Sequence, residues 1–282
     1  MGRLAQTLGP TEPPLPTASV KTNTLQMQPY ELFEILARTT WNSVNRCHRL
    51  RIQLGEDSIT SVNLSAIASH KTKCVVVEDT RVNEATRGCD FELWVGSSRL
   101  GWARYAIQAK KINPNTNRYG KLGHKVGGTL QIDILDRYAT ANRAAPIYCF
   151  FNSSLDAYSW SCKLADEREQ LGCTVTPSHI VRRSLNIRGA RNFSSMHHSV
   201  ETLPWRCLVR CPQLIGSSPN QRKGWLPRSS YRHASLPIEM KLLQERRSMA
   251  ALDNPLTLYS PDSPLRPAWV GVIDISDSES GA

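Results

Sequence analysis

The chain has 282 residues, a formal net charge of +11 and eight cysteines, which is enough for one large or two modest domains with an ordinary core. Its cysteines lack the paired C-x-x-C spacing of zinc ribbons, so reduced thiols are expected; Cys207 and Cys211, with His197 and His198 nearby, find no second pair to complete a zinc site. No apolar run approaches the roughly 18 residues of a membrane span, and the expectation is a soluble, cytoplasmic protein with no membrane partner.

Residues 1–27 carry Pro10, Pro13, Pro14 and Pro16 among Ser and Thr without an apolar period, and are expected to form a disordered leader. From Pro29, Leu32, Phe33, Ile35, Leu36, Trp41 and Val44 recur at helical spacing and predict an amphipathic helix to about Arg46. Gly55 then stops the chain, Asp57 or Ser58 is placed to cap a second helix carrying Leu64, Ile67 and Ala68, and Glu56 lies at the positive end of that helix. Acids at a helix start are ordinary capping groups. The run Lys73 to Val77 is rich in β-branched valine and reads as a buried strand. The polar stretch after it ends at Gly88 and holds Glu84 in a loop, either solvated or turned toward a site.

The most informative stretch is GCDFELWVGSSRLGWARYAIQAKK, from Gly88 to Lys111. Asp90 to Val95 and Arg104 to Lys110 have strand character and flank a Gly/Ser-rich turn at Gly96 to Ser98, which predicts a β-hairpin. Alternation puts Ala106, Gln108 and Lys110 on one face and Tyr105, Ile107 and Ala109 on the other. Antiparallel pairing then brings the Asp90 carboxylate, the Gln108 amide oxygen and the Lys110 ammonium to one end of the hairpin. A carboxylate with a second oxygen ligand can hold a hard cation such as Mg²⁺ or Mn²⁺, and a neighbouring lysine can orient water or offset charge on a phosphorane.

Further along, Asn113 to Asn117 is a loop and KLGHKVGG is basic and flexible in composition. Leu130, Ile132, Ile134, Leu135 and Tyr138 predict a helix to about Asn142 that carries Gln131, and Pro146 to Phe151 is a compact apolar strand. This order fits an α/β core with a central mixed sheet flanked by helices. Asp156 to Gln170 is expected to be helical, as is the end of Thr176 to Leu185 behind a capping serine; His179 there reads as a surface or capping residue. Residues 28–185 are thus expected to be the core, 186–268 a basic, loop-rich region, and 269–282 an acidic tail whose last residues, DISDSESGA, are expected to be disordered.

The positive charge is concentrated. From Val181 to Arg247 there are thirteen Lys or Arg against three acids, interleaved with Trp205, Trp225 and Tyr231. Guanidinium groups pair with phosphate and aromatic faces take bases, so this suits a nucleic acid, with Arg182, Arg183, Arg188 and Lys111 as candidate contacts. A solvated basic surface would show the same composition.

The Asp, seventeen residues, Gln-x-Lys spacing of Asp90, Gln108 and Lys110 resembles the PD-(D/E)xK nuclease superfamily in its QxK form, as in Mrr-like restriction endonucleases. GEDSIT, the valine-rich strand, GCDFELW, QAKK and PIYCFFN together resemble an uncharacterised bacterial family with the pattern GE(E/D)S(I/L)T, GAD(F/W)E(W/L)W, QAK and P-x-Y-x-F-Y-N, taken to be restriction-endonuclease-like. Cys89, Leu93 and Phe151 depart from that pattern, and none of them touches the proposed trio. The resemblance implies a restriction-endonuclease-like core and a Mg²⁺-dependent endonuclease acting on DNA, in bacterial defence. Asp90, Gln108 and Glu56 would bind metal, Lys110 would serve catalysis, and Glu84 and Gln131 would be additional site residues. The alternative is an inactive nucleic-acid-binding module or subunit with the same fold; RNA as substrate and a homodimer stay open.

Overall fold

The structure is a computed structural model that describes residues 27–70, 73–78, 89–162, 164–211, 232–246 and 268–276. Helices α1 (Pro29–Arg49) and α2 (Glu56–Ser69) precede strand β1 (Cys74–Glu78) and the hairpin β2 (Phe91–Ser97) and β3 (Gly101–Asn113). There follow short strands β4 (Arg118–Tyr119), β5 (Lys125–Val126) and β6 (Thr129–Leu130), helix α3 (Gln131–Ala141) and strand β7 (Ala145–Phe151). Strand β8 (Cys173–Pro177), helices α4 (Ser178–Leu185) and α5 (Phe193–His197), and strands β9 (Leu203–Pro204), β10 (Arg232–His233) and β11 (Trp269–Asp274) complete the chain, with a helix over Ile238–Arg246 before the last strand.

Nine of these strands share one mixed sheet in the order β1-β11-β2-β3-β7-β8-β9, with β4 and β10 also paired to β3, so the protein has the α/β architecture with a large central sheet flanked by helices. Strands β2 and β7 are almost wholly buried, as expected where helices cover both sheet faces and apolar runs replace strict alternation. Helix α2 meets the face that carries Ile107, Cys149 and Cys173, through the Asn63 amide on Cys173 Sγ. Helix α3 meets the opposite face, where Tyr138 hydroxyl donates to Glu92 at 2.7 Å.

Several expectations are corrected. The hairpin turn lies beyond Gly96, because Gly96 pairs with Trp102 and Ser97 with Gly101. A Cβ at Gly96 would overlap the Gly101 carbonyl, so glycine is required within the strand itself, and Gly101 takes a positive φ of +71° to leave the turn. Helix α2 is preceded by Gly55, and neither Asp57 nor Ser58 caps it by side chain. The described residues of Asp156 to Gln170 form no α-helix: they are irregular up to a 3₁₀ turn over Arg168–Gly172. KLGHKVGG folds into the β5–β6 ribbon, turned by Gly127 and Gly128 at positive φ.

The largest correction concerns the C-terminal part. Trp269–Asp274, placed at the start of an expected acidic tail, forms β11 in the middle of the sheet, antiparallel to β1 and parallel to β2. Strand β9 pairs with β8 in the same sheet, and Leu203, Met240 and Leu243 pack in the same core, so these described residues beyond 185 belong to the core. The expected leader and the last residues of the expected tail lie outside the described residues.

Removing residues 268–282 should therefore strip β1 of its partner and expose the edge of β2. The truncated chain is expected to lose cooperative thermal unfolding by circular dichroism, and an unchanged melting transition would show that β11 is dispensable.

Candidate functional site

Strand β3 has 13 residues and β2 has seven, so β3 overhangs its neighbour once the pairing has begun at Phe91 opposite Ile107. Beyond Ile107 the N–H groups of Ala109 and Lys111 face the side that β2 has vacated, and a buried backbone donor without an acceptor is costly. Two carboxylates take them. Asp90 Oδ2 accepts from Ala109 N–H at 2.7 Å, and Glu56 Oε2, brought by the start of α2, accepts from Lys111 N–H at 2.8 Å. Glu56 Oε1 also holds Lys110 Nζ at 3.0 Å, and Gln108 Nε2 donates to Asp90 Oδ2 in a short hydrogen bond. The structure thus brings Asp90, Gln108, Lys110 and Glu56 together.

The cluster is electrostatically loaded. Burial pushes the Asp90 carboxyl up to about 6, with the Glu56 charge adding to the effect; Lys110, the Ala109 N–H and the Gln108 amide oppose it. Gln108 is 1 % exposed, and among the described residues its Oε1 has no hydrogen-bond partner. The same holds for the hydroxyl of Tyr148, which pairs in register with Gln108 from β7. Two orphaned buried polar atoms thus sit at neighbouring positions on one sheet face, and such atoms call for a ligand, water or ion. Sequence reasoning assigned Tyr148 no role, although parallel pairing of QAKK with PIYCFFN is the signal that puts it beside Gln108.

Directly behind the cluster on the same face, Glu92 is fully buried and ion-paired to Arg104 Nε at 3.0 Å, while Trp94 Nε1 donates to it at 2.9 Å. Arg104 lies 4.9 Å from the Trp94 ring centroid and donates to the Asn142 carbonyl at 2.8 Å. Its contacts with Arg104, Trp94 and Tyr138 lie within the core, so Glu92 locks the hairpin against α3. Asn152 and His197 form another internal network with Thr174 and Tyr119. Burial lowers His197 to about 3, and its Nδ1 lies 3.0 Å from the Phe193 carbonyl, so it is a neutral core residue distant in role from Cys207 and Cys211.

An open cleft of about 840 Å³ is lined in part by Gly55 and Lys111, the chain neighbours of Glu56 and Lys110, which places it next to the cluster. Its walls include His48 and Arg49 from the end of α1 and Arg51 just after it, together with Asn113 and Asn115, and among the described residues no acid lines it. Arg51 holds a left-handed φ of 56°, a conformation that favours glycine or asparagine. This surface was not read from the sequence, because its basic residues lie apart from the arginine-rich stretch.

That stretch fares differently. Arg182, a candidate nucleic-acid contact, is held by Asp133 at 2.7 Å and Asp136 at 2.6 Å, so it ties α4 to α3. Arg206 is buried on Glu34, and Arg210 stacks 3.8 Å from the Tyr30 ring centroid. Arg183 and Arg188 are exposed. Lys111 is half-buried and lines the cleft. Gln131 opens α3 with its N–H on the His124 carbonyl and takes no part in the bonds of the Asp90 cluster. His179 pairs with Glu201 at 3.0 Å, in keeping with a surface residue. Glu84 lies outside the described residues.

Fold and site define an α/β protein whose central antiparallel pair ends in a carboxylate, amide and lysine cluster beside a basic cleft. The chain belongs to a family of unknown function, DUF6615, which matches residues 29–265. No curated protein and no solved structure matches it. Among the described residues no helix is long and apolar enough to cross a membrane.

Because the folded Asp90 value is raised, the native state keeps its proton to higher pH than the unfolded chain. Its contribution is therefore fully present below the unfolded value of about 3.9 and is lost as pH rises through about 6. Asp90→Asn should flatten the stability curve across that window, measured by urea unfolding at successive pH values. Parallel curves for the parent and the variant would show that Asp90 carries no such burden.

Proposed function

We propose that this protein is a metal-dependent nuclease of the restriction-endonuclease-like, PD-(D/E)xK kind, hydrolysing phosphodiester bonds in DNA with Mg²⁺ or Mn²⁺. The observation that carries the reading is the Asp90 carboxylate, pushed up by burial, beside a buried Gln108 whose amide oxygen has no partner. Oxygen donors of this type suit a hard cation and would not suit a soft one. The two Asp90 bonds described above fall on Oδ2 and none of them on Oδ1, so Asp90 Oδ1 and Gln108 Oε1 are the atoms that would hold the ion. The chemistry such an ion supplies is Lewis-acid polarisation of a phosphoryl oxygen.

The chain's own residues account for the rest. Lys110 is 5 % exposed and is the ammonium that would orient the attacking water or stabilise the charge that develops on phosphorus. Both Glu56 oxygens are engaged, one on Lys110 Nζ and the other on Lys111 N–H, which makes it a positioning group for Lys110 before it is a metal ligand. His48, Arg49, Arg51 and Lys111 in the adjoining cleft suit a phosphate backbone led toward Lys110.

One feature favours a second reading, an inactive nucleic-acid-binding module. Gln108 is neutral where a second carboxylate would bind a cation more strongly, and its amide is turned with the nitrogen on Asp90.

Cleavage of plasmid DNA by purified variants tests the proposal. Asp90→Asn and Lys110→Ala should each lower the rate by about 10²–10³-fold, the scale for loss of one transition-state group, while DNA binding survives. Arg49→Gln combined with Arg51→Gly should leave folding intact, since glycine accepts the Arg51 backbone, and should reduce the salt slope of binding by up to about 2. Parent and site variants that cleave equally would remove this cluster from the chemistry, and absence of any cation-dependent cleavage by the parent would favour the binding module.

A further inference from the structure

We propose that Cys162, Cys207 and Cys211 form a tri-thiolate site for a soft divalent cation, zinc above all, at the seam between the chain after β9 and helix α1. Their three sulfur atoms lie within 4.8 Å of one another, and among the described residues this is the one place where three such ligands converge. Cys207 Sγ and Cys162 Sγ are 3.2 Å apart, and all three cysteines are free thiols. Cys211 follows Cys207 by one turn, with Cys211 N–H on the Cys207 carbonyl at 3.3 Å, so both side chains leave the same side of the backbone. Cys162 reaches them from the extended segment after β7, which is laid against the region after α5 by Ser159 N–H on the His197 carbonyl and Ser161 hydroxyl on the Val200 carbonyl.

The frame around the trio is rigid without a metal. Trp205 Nε1 donates to the Phe33 carbonyl at 2.7 Å, and Arg206 joins Glu34 at 2.8 Å and also donates to the Ala165 carbonyl. These bonds hold the Cys207–Cys211 turn on α1, so the ligands are gathered before any ion arrives. The Leu164 N–H donates to Cys162 sulfur, the kind of outer contact that supports a metal-bound thiolate. Thiolates select soft cations, so this site is chemically distinct from the oxygen donors around Asp90 and does not depend on the nuclease reading. Cys207 and Cys211 are buried and Cys162 is half-buried, which leaves a fourth position on the Cys162 side for water. On binding, three S–H protons pass to solvent as three metal–sulfur bonds form.

The full chain, purified with reductant and without chelator, is expected to carry about one zinc per molecule, as a tetrahedral thiolate site would. Exchange with Co²⁺ should produce a thiolate-to-cobalt charge-transfer band. Cys207→Ser and Cys211→Ser should each lose the metal, and Cys74→Ala should keep it. If the serine variants fail to fold, zinc-edge X-ray absorption on the parent decides the matter by showing sulfur neighbours around the zinc. A folded parent that is zinc-free and gives no charge-transfer band with Co²⁺ would overturn the proposal, as would zinc without sulfur neighbours or a disulfide within the trio in reduced protein.

Discussion

The pairing register of β2 with β3 is the constraint on which the rest of the molecule depends. With Phe91 opposite Ile107, Asp90 sits where β2 ends, and Glu92, Trp94, Arg104, Gln108 and Lys110 share the sheet face that α3 covers. A slip of one residue would turn Glu92 and Asp90 into the apolar face among Ile107 and Cys149. The Glu92–Arg104 pair opposes that slip, because losing either partner strands a buried charge at a cost of roughly 3–5 kcal/mol. The fixed register also leaves the overhang of β3, whose free N–H groups draw in Asp90 and Glu56. The same hydrogen bonds that finish the sheet assemble the candidate site.

That assembly is in tension with stability. Two carboxylates, a buried amide and a lysine are gathered at one end of the hairpin, and burial holds Asp90 well above the usual carboxylate range. Buried ionisable groups whose carboxyl is shifted in this way are found where a protein does chemistry, which is the ground for the proposed function. The adjoining cleft supplies the opposite sign, with His48, Arg49, Arg51 and Lys111 in its walls. The site and the basic cleft are neighbours along the chain, since Gly55 and Lys111 in the cleft wall adjoin Glu56 and Lys110.

Much of this was legible in the sequence because it is local. Alternation in YAIQAKK and the turn signals before it give the hairpin, and residues close in its register give Asp90, Gln108 and Lys110. Glu56 was legible only through a resemblance, since its partner Lys110 lies 54 positions away. Long-range pairing defeats local reading elsewhere too. The six residues WVGVID carry a strand pattern, but nothing nearby tells that they insert between β1 and β2, and the Ser-rich acidic residues behind them suggest a tail. A charge count cannot see that Arg182 meets Asp133 and Asp136, or that Arg206 is buried on Glu34. Likewise the cleft joins the end of α1 to the end of β3, and its basic character appears only once those segments meet.

The central claim is that the Asp90 cluster supports cation-dependent phosphodiester hydrolysis. Incubation of the purified full chain with supercoiled plasmid, in Mg²⁺ or Mn²⁺ and in parallel with excess EDTA, tests it most directly. The account predicts nicked or linear DNA in the presence of the cation and none with EDTA. Intact plasmid under every cation condition, from a preparation shown to be folded and to bind the same DNA, would contradict it.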